Sequence, residues 1–129
     1  MILVDTSIWI DHLRTGHATL ADLLERGLVL GHPWVVGELA LGHLAQRGAI
    51  IGLLTSLEQA TVATPDEVLT LIDRHELYGL GIGYVDAQLL AATRLTPDAA
   101  LWTADERLPA AAVRLGCATD PRAPDAAAT

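Results

Sequence analysis

Apolar and polar positions alternate along the chain in short blocks. Ile2-Leu3-Val4 is an apolar run that predicts a buried strand, and Thr6 and Ser7 behind it fit helix caps. Ile8 to Leu13 and Ala18 to Arg26 predict two helices, and Leu28-Val29-Leu30 predicts a second strand closed by Gly31. Pro33 suits the first turn of a helix reaching about Leu44, and Ala49 to Leu57 continues as another helix. Thr61-Val62-Ala63 reads as a third strand. Thr64-Pro65-Asp66-Glu67 combines a capping Thr, a Pro at the first position and a Glu three residues after the cap, which starts a helix ending near His75. Tyr78 to Gly83 is a glycine-rich connection, Tyr84 to Arg94 a helix, and Leu101-Trp102 a fourth strand. Asp105 to Leu115 predicts a helix whose first turn Pro109 interrupts, and Cys117-Ala118 a last short strand. The Pro- and Ala-rich stretch from Pro121 to Thr129 reads as a flexible tail, leaving residues 1–120 as one domain.

Strands alternating with helices imply an α/β fold with a central, mostly parallel sheet of four to five short strands. Sites in such sheets lie beyond the carboxyl ends of the strands, so chemistry is sought there.

Composition narrows the chemistry. The 129 residues suffice for one domain, and a domain of this size buries roughly two-thirds of the surface its unfolded chain exposes. Phe is absent, so the core rests on Leu, Ala, Val and Ile. One cysteine, Cys117, allows no internal disulfide. The start is too short for a signal peptide, and no apolar run approaches the ~20 residues of a membrane span; the expectation is a soluble, cytoplasmic protein without a membrane partner. The net charge is −8, and every basic residue is Arg, with no Lys. A phosphate-binding loop that needs its Lys, and a Schiff-base enzyme, are both excluded. An acidic chain grips phosphate backbones poorly, so any nucleic-acid substrate must be held locally, by metal ions and a few arginines.

Four acids stand out. Asp5 directly follows the first strand and Asp105 comes two residues after the fourth; for each, helix capping is an equal account. Glu38 shares a helical stripe with Trp34, Leu41, Gly42 and Ala45, away from His43, Gln46 and Arg47, and so interrupts the face expected to meet the core. A buried carboxylate is costly unless paired or bound to a metal, and the helix offers no cation on that face; a distant Arg or backbone amides are the alternative partners. Asp86 repeats the pattern beside Leu89, Leu90 and Thr93, though its first-turn position also suits the helix dipole. Converging carboxylates need a cation, and hard oxygen ligands select Mg²⁺ or Mn²⁺. His12, His32 and His43 lie on separate elements and do not form a zinc pattern. Carboxylate-held Mg²⁺ suits phosphodiester hydrolysis.

The segments around these acids resemble a known family. Val4-Asp5-Thr6-Ser7-Ile8-Trp9-Ile10-Asp11, Trp34-Val35-Val36-Gly37-Glu38-Leu39, the segment Gly83 to Ala92 around Asp86, and Leu101-Trp102-Thr103-Ala104-Asp105-Glu106-Arg107-Leu108 look like the four motifs of PIN-domain ribonucleases, VapC-type toxins in particular. The order and spacing match up to about Thr119, with no motif acid missing. The resemblance implies a three-layer fold and Mg²⁺-dependent endoribonuclease activity on an RNA such as tRNA or rRNA. It also implies a homodimer and a cognate VapB-type antitoxin. Asp5, Glu38, Asp86 and Asp105 are the catalytic and metal-binding acids it carries over.

On this reading Asp5 and Asp86 are the main ligands, with Glu38 and Asp105 completing the site and Glu38 a candidate base. Thr6, Ser7 and Thr103 are candidates to orient carboxylates or waters, or serve as caps and strand ends. Arg107 is a candidate for the substrate phosphate, or a solvated helix residue. Trp34 and Trp102 sit in apolar contexts that favour core packing; Trp9, near the site, is open between packing and base stacking. Gly79, Gly81 and Gly83 lack the preceding strand and the spacing of a nucleotide fingerprint. A haloacid-dehalogenase-like phosphatase wants an Asp where Ser7 stands, and it and receiver domains want a Lys. A DNA-directed nuclease and a non-catalytic partner-binding module are the remaining alternatives.

Overall fold

The structure, a computed structural model, describes residues 1–117. Three short parallel strands, β1 (Ile2–Val4), β2 (Val29–Leu30) and β3 (Ala100–Trp102), form a sheet in the order β2-β1-β3. Leu3 pairs with Leu30 on one side and Leu101 on the other. Parallel neighbours need crossovers. Here these are α1 (Thr6–Thr15) and α2 (Ala18–Glu25) between β1 and β2. Between β2 and β3 run α3 (Pro33–Ala40), α4 (Arg47–Ser56), α5 (Pro65–Arg74) and α6 (Tyr84–Leu95). Helix α7 (Leu108–Arg114) follows β3. The chain leaves β1 for one neighbour and returns to the other side of β1, so the strand order reverses there. Asp5 and the turn after Trp102 lie at that reversal, where open α/β sheets keep their crevice.

The sheet has fewer strands than the pattern predicts. Ala60 and Ala63 are buried as a strand would have them, but segment 61–63 stays outside the ladder. Gly31 makes a single bridge with Gln59, and the Thr61 N–H donates to Thr96 Oγ1 instead of to a strand. Of the last predicted strand, Cys117 O accepts from the Leu101 N–H at 2.8 Å, while Ala118 and the tail 121–129 lie outside the described residues. Helix α3 stops at Ala40, short of Leu44, because the Arg47 guanidinium takes the Ala40 and Gly42 carbonyls, a common way to close a last turn. Pro109 falls in the first turn of α7, and that helix begins at Leu108, three residues after Asp105.

Helix α6 is buried from Ala87 through Thr93. It is therefore a central helix apolar nearly all round, not one with a single inward stripe, and its first turn opens at the strand ends. Leu3, Val4, Leu89, Leu90, Leu101, Trp102 and Leu108 are fully buried with Trp9, which resolves Trp9 as a core residue. Trp34 instead is 41% exposed. Among the described residues, no helix is long and apolar enough to cross a membrane.

His32 caps α3. Its Nδ1 accepts the Trp34 N–H at 3.1 Å, so the neutral ring carries its proton on Nε2, which has no partner among the described residues. Burial holds its pKa below the usual 6.5. A depressed folded-state pKa means that the unfolded chain takes up a proton first as pH falls. Stability should therefore be full above about pH 6.5 and decline as the solution is acidified toward the folded-state pKa. Urea unfolding at stepped pH should show this slope, and it should flatten in His32→Asn, which keeps an uncharged acceptor; an unchanged slope would reject the assignment.

Candidate active site

Each acid reaches the crevice through a different local device. Asp5 ends the central strand, and its own N–H extends the β1–β3 pairing by donating to Trp102 O at 2.9 Å. Its side chain is nearly buried at 6% exposure. Oδ1 accepts the Thr6 N–H at 2.7 Å, which makes Asp5 the cap of α1. Oδ2 accepts the Thr103 hydroxyl at 2.7 Å and the Ser7 hydroxyl at 3.1 Å. Thr6 and Ser7, expected as caps, are inside α1, and their hydroxyls serve the acids. Thr6 Oγ1 donates to Glu38 Oε1 at 2.7 Å. Thr103 Oγ1 also accepts the Asp105 N–H at 3.0 Å, and Ser7 Oγ the Ala104 N–H at 3.2 Å. The two hydroxyls thus staple the turn after β3 onto Asp5.

Asp86 stands in the first turn of α6, half-buried, with Oδ2 accepting the Gly83 N–H at 2.9 Å. Burial, as the largest cause, raises its pKa; the Gly83 N–H opposes the rise, and the charges of Asp5, Asp105 and Glu38 add to it. Three separate elements therefore bring their acids within electrostatic reach of Asp86. Asp105 moves the other way. The Arg107 guanidinium, and next the Arg107 backbone N–H, hold its pKa below the ordinary carboxylate value. Arg107 Nε and Nη2 grip Asp105 Oδ1 and Oδ2 at 3.1 and 3.0 Å.

Glu38 corrects the sequence reading of its surroundings. Helix α3 buries Val35 and Leu39, whereas Trp34, Glu38 and Leu41 form its exposed side, Leu41 at 91%. The apolar stripe is a surface feature, and Glu38 is reached from solvent.

The donor set is all oxygen, which suits Mg²⁺ or Mn²⁺. Among the described residues, no three His, Cys, Asp or Glu side chains stand close enough to form a ready ligand cage. Mg²⁺ does not need such a cage, since one or two carboxylates with several waters suffice. On donor chemistry the residues fit the ion.

Arg107 has a second role that spacing alone did not reveal. Its Nη1 donates to Gly81 O at 2.8 Å, tying the Asp105 turn to the loop that leads into α6. Gly81 has φ +77°, a left-handed conformation that explains a glycine there.

The chain belongs to the PIN-domain family: the PIN domain model matches residues 2–114. It is of the VapC type, being 50% identical over 118 residues to Ribonuclease VapC32 from two Mycobacterium tuberculosis strains, across 92% of this chain and 95% of the relatives. No solved structure matches it.

Removing the tether should loosen the loop selectively. In Arg107→Ala, amide hydrogen exchange at residues 79–83 should speed up several-fold while the β1 and β3 amides stay protected. Arg107→Lys should not rescue it, because an ammonium lacks the planar fork that serves Asp105 and Gly81 together. Unchanged exchange in the loop would remove Arg107 from this role.

Proposed function

We propose that the chain is a divalent-metal-dependent endoribonuclease, the toxin of a VapBC-type pair, working in the cytoplasm. The observation that carries this reading is the convergence of acids at the strand ends: Thr103 joins Asp5 to the Asp105 turn, Thr6 beside Asp5 bonds Glu38, and the charges of all three reach Asp86. A cation held among these acids would relieve their mutual repulsion. The identity to relatives named as ribonucleases supports RNA as the substrate over DNA.

Asp5 and Asp86 would be the main holders of the ion, with Asp105 and Glu38 completing the site directly or through water. When bound, Mg²⁺ supplies Lewis-acid polarisation of the phosphate and lowers the pKa of water. Glu38, exposed and steadied at Oε1 by Thr6, takes the proton of the attacking water. The water oxygen bonds to phosphorus in line as the P–O3′ bond breaks, and the departing 3′-oxygen takes a proton from solvent water, leaving a 5′-phosphate and a 3′-hydroxyl. Thr103 and Ser7 hold the Asp5 carboxylate in one orientation. Arg107 offers the phosphate a guanidinium, and reaching it means releasing Asp105. The substrate is a structured RNA, tRNA or rRNA. The working unit is a homodimer, silenced by a VapB-type antitoxin.

Asp5→Asn keeps an acceptor for the Thr6 N–H but removes the charge. It should retain the fold by circular dichroism and lose RNA cleavage. Glu38→Gln should cut the rate by roughly a hundredfold or more. A chelator should abolish cleavage and excess Mg²⁺ restore it; cleavage indifferent to the chelator would sink the metal mechanism. Expressed without a partner, the wild-type chain should arrest growth and Asp5→Asn should not. Normal growth with the wild type would count against the toxin role.

A further inference from the structure

The exposed stripe of α3 gives the site a second component. Trp34 is one turn before Glu38, and Tyr84 is two residues before Asp86. The two rings meet edge to face with centroids 5.9 Å apart, and they remain 41% and 43% exposed. With Leu41 at 91% they make a contiguous exposed apolar patch around Glu38, the kind of surface that marks a binding site. Trp34 also lines a shallow, open surface depression of about 520 Å³ together with Pro33, Gly37, Glu38, Leu41 and Val85. Glu38 is thus both a proposed catalytic acid and one edge of an otherwise apolar surface on which a base could lie.

Charge explains why such a surface is needed. A chain of net charge −8 with four acids at its site gains little from neutralising phosphates. Stacking of unpaired bases on aromatic rings is the main grip that does not depend on positive charge. We infer that Trp34 and Tyr84 form a base-stacking subsite that seats an unpaired nucleotide next to the scissile phosphate. The inference rests on the ribonuclease reading, and it commits to single-stranded RNA as the occupant of this face.

Trp34 reports on itself. Trp9 and Trp102 are each 1% exposed, so solvent-sensitive emission comes from Trp34. The wild-type chain is titrated in chelator with hexa-adenylate and with an abasic ribose-phosphate hexamer, following tryptophan emission and the anisotropy of labelled RNA. Hexa-adenylate should bind and quench, and the abasic oligomer should do neither. Trp34→Leu should abolish quenching and weaken binding by roughly five- to a hundredfold, and Trp34→Phe should recover most of the affinity. Tyr84→Leu should weaken binding with Trp34 still emitting. Equal binding of the abasic oligomer, or an unchanged Kd in Trp34→Leu, would overturn the subsite. So would Trp34 emission that shifts on diluting the protein alone and ignores RNA, since a second copy of the chain would then cover this face. Asp5→Asn separates the two readings: hexa-adenylate bound by it and by the wild type, with RNA cut by neither, keeps the subsite and removes the nuclease.

Discussion

The hydrogen bond from the Thr103 hydroxyl to Asp5 Oδ2 joins residues 98 positions apart, and the site depends on it. Closing so long a stretch of chain is entropically costly. The cost is met by the parallel pairing of β1 with β3 and the core packed on it, not by the hydroxyl itself. What the hydroxyl adds is direction. By donating to Asp5 and accepting from the Asp105 N–H, Thr103 fixes the turn after β3 relative to the end of β1. Two acids from opposite ends of the domain then share one small frame.

Crowding carboxylates is unfavourable, and each acid meets the problem with a local donor. Asp5 has two hydroxyls and a backbone amide, Glu38 the Thr6 hydroxyl, Asp86 the Gly83 amide, and Asp105 the Arg107 guanidinium. These partners are unequal. A full positive charge beside Asp105 lowers its pKa, whereas a single amide leaves Asp86 with a raised one. Asp86 thus lacks the direct guanidinium contact that Asp105 has. On the proposed reading, a cation at Asp105 would have to compete with Arg107, and at Asp86 it would not.

The sequence made the frame legible where local chemistry decides. Strand β1 followed by Asp5, the Thr64 cap and the Asp86 helix are all visible as runs and caps. It misled where periodicity alone was used. The stripe of Trp34, Glu38, Leu41 and Gly42 is apolar, yet α3 buries Val35 and Leu39. In a helix of eight residues with few polar positions, the pattern does not determine which side meets the core. Segment 61–63 has strand composition, but the Thr96 hydroxyl takes the Thr61 N–H that a ladder would need. Thr6 and Ser7 look like caps because hydroxyls behind a strand usually are. The sequence left them open between capping and orienting carboxylates, and the meeting of α1, α3 and the β3 turn shows their oxygens on carboxylates.

The error over α3 bears on function. A carboxylate buried in the core would have been ligand or liability, with no route for an attacking water. Exposed and bonded by Thr6, Glu38 is open to solvent, which suits the role of base proposed for it. The same exposure leaves Trp34 in solvent on the neighbouring turn. One helix therefore presents an acid and an aromatic ring together, on a protein whose overall charge repels phosphate. Binding strength and reactivity then come from different groups. The ring and its apolar surface hold a base without regard to charge, and the acids can stay as negative as the chemistry demands.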